Sequence, residues 1–140
     1  MADLFRVVLD TNVIFEGLTK RNGVCGSIID GWFEGAMRVC VSNALLYEYF
    51  DVLSRKLSPY RHEQAVNVLA ELLTQAIPVT INFRWRPSSP DPGDEFLIDC
   101  TMNANAILVT SNIRDLRLAR RSLGLRVLTP QAFLRLLLEE

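Results

Sequence analysis

Short apolar runs alternate along the chain with longer stretches in which apolar residues recur every three or four positions. The runs are Phe5 to Leu9, Arg38 to Val41, Pro78 to Ile81, Ala106 to Val109 and Arg126 to Leu128. Each is brief and rich in branched residues, which predicts buried strands. Pro78 cannot donate to a ladder, so the third strand belongs near an edge. Val13 to Leu18 predicts a short helix, and Lys20 to Gly23 a polar break. Ser27 to Phe33 sets Ile28, Ile29, Trp32 and Phe33 at helical spacing, with Gly35 as the stop. Ser42 caps a long helix from Asn43 to about Leu57, whose buried stripe is Leu45, Leu46, Tyr49, Val52 and Leu53. Ser58-Pro59 opens another to about Gln75, with Ala65, Val68, Leu69, Leu72 and Leu73 on one face. Arg84 to Gly93 contains prolines 87, 90 and 92 and excludes a regular element. Helices follow from Asp94 to about Asn103 and from Asp115 to Leu123, where Gly124 ends the second. Thr129-Pro130 caps the last one, which carries Phe133, Leu134 and Leu137.

Strands that alternate with helices imply a mainly parallel sheet covered on both faces. The expected fold is a three-layer α/β/α sandwich with about five strands, in a single domain spanning residues 1–140. Trp32, Phe33 and Phe50 are expected in the core, and His62 on a solvent-facing helix surface.

Composition narrows the picture. An apolar share of 49% fits a globular domain rather than a disordered chain. The net charge of −1 supplies no basic field, so any nucleic acid must be met by a local patch or by metal ions. Cys25, Cys40 and Cys100 are odd in number and form no Cys-x-x-Cys pair, and His62 is the sole histidine. That argues against a zinc site and a disulfide framework, and reads the cysteines as small buried hydrophobes. Neither a signal-peptide pattern nor a run of membrane-spanning length is visible, so the expected location is cytoplasmic, without membrane attachment.

The chemistry gathers at strand exits. In an open parallel sheet, ligands bind at the carboxyl edge of the strands. Asp10, Thr11 and Asn12 leave the first strand there, and Ser42 leaves the second. Thr110, Ser111 and Asn112 leave the fourth. Glu48 lies less than two turns into the helix after the second strand, Asp94 opens the helix before the fourth strand, and Asp115 follows its exit. Carboxylates at about 4 Å repel by roughly 4 kcal/mol at an effective dielectric near 20, so converging acids call for a cation. Oxygen ligands without His or Cys select Mg2+ or Mn2+. Such an ion can activate water and neutralise a phosphodiester in transit. Each acid also has an ordinary reading: Asp10 as a turn cap, Glu48 as a solvated helix residue, Asp94 and Asp115 as charges favoured at helix starts.

Val7-Val8-Leu9-Asp10-Thr11-Asn12-Val13, then Glu48, then Asp91-Pro92-Gly93-Asp94-Glu95-Phe96-Leu97, then Ile107-Leu108-Val109-Thr110-Ser111-Asn112-Ile113-Arg114-Asp115-Leu116 together resemble a PIN domain. The resemblance covers nearly the whole chain. It is greatest to small prokaryotic PIN proteins classed as toxins of toxin–antitoxin pairs (VapC-like). It implies a metal-dependent endoribonuclease with Asp10, Glu48 and Asp94 as catalytic residues and metal ligands. The fourth family position, usually Asp two residues after the threonine, is Asn112 here, which brings no negative charge. Asp115 is the candidate to replace that charge, with Thr110 supporting Asp10 and Thr11, Asn12 and Ser111 lining the exits. An RNA substrate, a small antitoxin partner and a homodimer are further implications.

Two basic groups are candidates for RNA contact. Arg114, Arg117 and Arg121 share helical spacing, with Arg120 beside them, and Arg84, Trp85 and Arg86 join cations to a ring. A solvated helix face, a dimer contact or an exposed loop are the ordinary alternatives. Two other functions compete with the nuclease. One is a non-catalytic PIN-fold RNA-binding or scaffold module, suggested by Asn112 and the acidic balance. The other, an aspartyl phosphatase, is disfavoured because Asn12 stands where a second acid is wanted.

Overall fold

A computed structural model describes residues 4–84 and 94–139. The expected irregular stretch after Arg84, including Trp85, Arg86 and Asp91, lies outside the described residues. Among the described residues the strands are β1 (Arg6–Leu9), β2 (Arg38–Val41), β3 (Ile77–Pro78), β4 (Ile107–Val109) and β5 (Arg126–Leu128). The helices are α1 (Thr11–Thr19), α2 (Val24–Phe33), α3 (Asn43–Lys56), α4 (Pro59–Leu73), α5 (Asp94–Ala104), α6 (Arg117–Leu123) and α7 (Pro130–Glu139). A 3-10 turn, Arg114–Leu116, precedes α6.

The strands run parallel in the order β3-β2-β1-β4-β5. Val7 pairs with both Val39 and Ile107, and Leu9 with Val109. All the carboxyl ends therefore reach one rim, with β1 in the middle. Val7, Val8 and Leu9 are fully buried, as expected for a central strand covered on both faces. The expected α/β/α layering is thus present. α5 lies against β1, β2 and β4, while α1 packs on α2 and α3, and α2 on α7. No helix among the described residues is long and apolar enough to cross a membrane.

Local chemistry explains the boundaries. The Ser42 hydroxyl accepts from the Leu45 amide at 3.3 Å and caps α3. Thr129 does the same for α7, accepting from Ala132 at 3.1 Å. Gly35 and Gly124 take φ of +76° and +69°, the left-handed conformation that stops α2 and α6. The third strand is shorter and earlier than its apolar run suggests. It occupies the expected edge, but the ladder closes after the Val79 amide donates to the Val41 carbonyl at 3.0 Å. Pro78 has no N–H with which to widen it. Phe33 departs from the core expectation at 36% exposure, because it sits one position off the α2 stripe of Cys25, Ile28, Ile29 and Trp32. Phe50 and His62 are half-buried, and the three cysteines are free and buried.

α1 and α2 approach closely at glycine. A Cβ on Gly17 would lie 2.4 Å from Ile29 Cγ1 and 2.9 Å from the Cys25 carbonyl oxygen.

Candidate active site

Asp10 is the residue at which β1 becomes α1. Its amide donates to the Val109 carbonyl at 3.0 Å, which continues the sheet. Its own carbonyl accepts from Val13 and Ile14 at 2.9 and 3.1 Å, which begins the helix. The backbone thus performs the helix start, and the side chain makes no capping hydrogen bond. The Thr11 and Asn12 amides still face the carboxylate, so a local turn role and a place at the cleft coexist at Asp10.

That carboxylate receives the Thr110 hydroxyl at 2.6 Å on Oδ2. Thr110 is 1% exposed and stands at the end of β4, the strand beside β1. Its hydroxyl also accepts from the Asn112 amide at 3.0 Å. The Asn112 side-chain nitrogen in turn donates to Asp115 Oδ2 at 3.1 Å. A line of hydrogen bonds therefore runs from Asp115 through Asn112 and Thr110 to Asp10. Burial raises the Asp10 carboxyl above the ordinary aspartate range, while the Thr110 hydroxyl and the Asn12 and Thr11 amides pull it back.

A cleft of about 150 Å³ opens beside Asp10. Asp10, Thr11 and Asn12 line it from the β1 exit, Leu45, Glu48 and Val52 from α3, and Asp94, Phe96 and Leu97 from α5. Three acids far apart in sequence share one cavity at the carboxyl rim of the sheet. Asp94 is buried at 9% exposure, and Glu48 is half-buried. Among the described residues, no three His, Cys, Asp or Glu side chains converge tightly enough to hold a metal by themselves. The donor set still suits Mg2+ or Mn2+. Mg2+ keeps several waters and takes one or two carboxylates directly, so acids spaced around a wet cleft can share it.

Of the described residues expected at the site, Thr110, Asn112 and Asp115 do not line the cleft; Thr110 touches Asp10, and Asn112 and Asp115 connect to Asp10 through it. Ser111 is exposed and borders a separate cavity with Glu16, Lys20, Cys25 and Gln131. Cysteine nucleophiles do not compete for the role. Burial pushes the Cys25 and Cys100 thiols up to about 11, so both are protonated at neutral pH.

The sequence model of the PIN domain matches residues 6–114. The chain belongs to the PIN-domain family. The matched span contains Asp10, Glu48, Asp94 and Asn112, and Asp115 falls one residue beyond it. An uncharacterized protein of Methanocaldococcus jannaschii is 27% identical over 139 aligned residues, covering 92% of this chain and 89% of that one. The fold is shared with a chain from the VapBC2 structure of Rickettsia felis, solved bound to a DNA fragment from their promoter. The TM-score is 0.62 at 16% identity, over 89% of this chain and 98% of that one. VapBC-1 from nontypeable Haemophilus influenzae gives 0.61 at 18% identity, over 91% and 99%. FitAB bound to the IR36 DNA fragment gives 0.59 at 16%, over 89% and 94%.

In this PIN domain the arginines 114, 117, 120 and 121 are all exposed on the 3-10 turn and α6, beyond the Asn112–Asp115 end of the hydrogen-bond line. Arg84 is exposed on the other side of the sheet order, after β3, and borders a small cavity next to the acid cleft. Two residues at the site carry no polar signature in the sequence. Tyr49 reads as one apolar position of the α3 stripe, yet its hydroxyl donates to the Leu9 carbonyl, the last peptide before Asp10. It is fully buried, and burial holds its phenol well above the usual tyrosine range. Phe96 follows the Asp94-Glu95 pair and stays 41% exposed on the cleft wall.

Proposed function

We propose that this PIN domain is a Mg2+- or Mn2+-dependent endoribonuclease, the toxin of a toxin–antitoxin pair, acting in the cytoplasm. The observation that carries the reading is the shared cleft of Asp10, Glu48 and Asp94, drawn from three elements to the rim of a parallel sheet. A bound divalent ion would supply charge neutralisation and water activation for phosphodiester hydrolysis. Asp10, Glu48 and Asp94 would hold it. Thr110 fixes the orientation of the Asp10 carboxylate through Oδ2. Tyr49 pins the peptide from which Asp10 projects. The exposed arginines of the 3-10 turn and α6, together with Arg84, would meet backbone phosphates that a chain of net charge −1 cannot attract as a whole.

The partner in this reading is a small antitoxin that occludes the cleft, and the assembly is a homodimer of the PIN domain, each domain spanning the whole chain. Similarity to the VapBC and FitAB folds supports the antitoxin partner through the fold alone, and the homodimer rests on the resemblance to PIN domains. Asn112 favours a second reading, a scaffold that binds RNA without cutting it, since the neutral amide engages Asp115 instead of adding charge to the cleft. Calorimetric titration with Mn2+ separates the two. Asp10→Asn is expected to weaken the metal by about tenfold or more. An affinity equal to that of the wild type overturns the nuclease reading in favour of the scaffold.

A further inference from the structure

Phe96 lines two cavities. One is the acid cleft; the other, of about 100 Å³, is bordered by Ser42, Ala44, Ile81, Arg84 and Asp99. The ring is therefore a wall common to both. α5 buries Leu97, Ile98, Cys100, Thr101 and Ala104 on its inner face, and Phe96 falls off that stripe. A single exposed phenylalanine is unremarkable on a protein surface. This one is placed between a cleft of carboxylates and a cavity bordered by the exposed Arg84 guanidinium and the buried Asp99.

The position of Arg84 is built by α5. The Asn103 side-chain oxygen accepts from the amides of Asn82 and Phe83 at 2.9 and 3.2 Å. Its nitrogen donates to the carbonyls of Phe83 and Asp99 at 2.9 and 2.8 Å. One side chain thus clamps the segment before Arg84 to the helix that carries Phe96. The backbone before the cation and the ring are thus tied to the same helix next to the acids, and ring with cation is the pairing by which single-stranded nucleic acids are held through base stacking and phosphate contact.

We propose that the cavity beside the acid cleft seats a nucleobase of single-stranded RNA stacked on Phe96, with Arg84 against the neighbouring phosphate. The base belongs to a nucleotide flanking the bond in the acid cleft, so the assignment rests on the ribonuclease reading of that cleft. Phe96 is then a positioning residue, and Asn103 holds the cation opposite it. Stacking on a ring is tolerant of base identity, so this seat selects for unpaired RNA more than for a sequence.

The test is binding of two oligomers of equal length to the Asp10→Asn protein in Mg2+, read by fluorescence anisotropy. One is a single-stranded oligoribonucleotide; the other is an abasic ribose-phosphate chain. Phe96→Ala should weaken the base-bearing oligomer roughly 5- to 100-fold and leave the abasic one within about twofold. Phe96→Trp should restore the difference, and Arg84→Ala should weaken both oligomers alike. Equal weakening of both by Phe96→Ala, or no preference for bases in the parent protein, overturns the seat and leaves the cavity to a protein side chain. Cleavage by the wild type is scored separately. A wild type that cuts RNA while Phe96→Ala spares the preference for bases refutes the seat alone. A wild type that cuts nothing while Phe96→Ala abolishes that preference refutes hydrolysis alone.

Discussion

Asp10 is held by opposing influences, and each can be measured. Burial penalises its ionised form, so the folded protein binds a proton at Asp10 more readily than the unfolded chain does. Stability from this group is complete below the ordinary aspartate value of 3.8 and is lost as pH rises through the raised folded value. Asp10→Asn removes the ionised acid. In metal-free buffer it should melt higher than the wild type at pH 7, and the gap should close as pH falls toward 4. Saturating Mn2+ should raise the wild-type melting temperature and leave Asp10→Asn nearly unchanged. Thr110→Val removes the hydroxyl that orients the carboxylate. It should cost about 10- to 100-fold in cleavage rate, with Thr110→Ser close to wild type. Asn112→Asp places a second carboxylate against Asp115, where an amide now donates at 3.1 Å. Without a cation it should lower stability by about 1 kcal/mol or less, the range of a partly exposed charge pair. Divalent ion should reverse that loss in thermal melts. Residue-level legibility followed chemical type. An acid that ends an apolar run announces itself, so Asp10 was readable. Tyr49 was not, because an apolar helix stripe and a tyrosine that reaches a strand carbonyl look alike until the strand is placed.

Elements were more readable than their ends. Strand-helix alternation dictated the parallel sheet, and Pro78 dictated which strand is at the edge. The β3 boundary was not readable from its apolar run, since ladder length depends on what β2 offers and not on Val79 to Ile81 themselves. Likewise the segment from Arg114 to Leu123 divides into a 3-10 turn and α6, a tightening set by the Leu116 amide bonding to Ile113 at 3.1 Å. The approach of α1 to α2 depends on missing side-chain volume. Gly17→Ala should destabilise the domain by about 1–3 kcal/mol in urea unfolding, because its Cβ meets both Ile29 and the Cys25 carbonyl. Tyr49→Phe should cost about 1 kcal/mol by the same assay, the net value of one hydrogen bond between α3 and β1.

Across the whole molecule, the central fact is that the rim of one sheet gathers chemistry from positions 10, 48 and 94 into one cleft. Strand order points to Asp10 at the rim, since parallel strands deliver their exits to the same edge; Glu48 and Asp94 are singled out by the resemblance to PIN domains, Asp94 by that alone. The open spacing of the acids was beyond its reach, because side-chain convergence is decided by packing of α3 and α5. Arginines flank this rim while the net charge stays at −1. RNA binding should therefore depend on local contacts and weaken steeply with added salt. The central claim is tested most directly by incubating purified, folded and partner-free wild-type protein with single-stranded RNA and Mn2+, beside Asp10→Asn. A metal-dependent ribonuclease here requires internal cleavage by the wild type that stops with a chelator and falls by at least about 100-fold in Asp10→Asn, on the order of a lost catalytic carboxylate. Intact RNA with the folded wild type, or equal cleavage by both proteins, would contradict it.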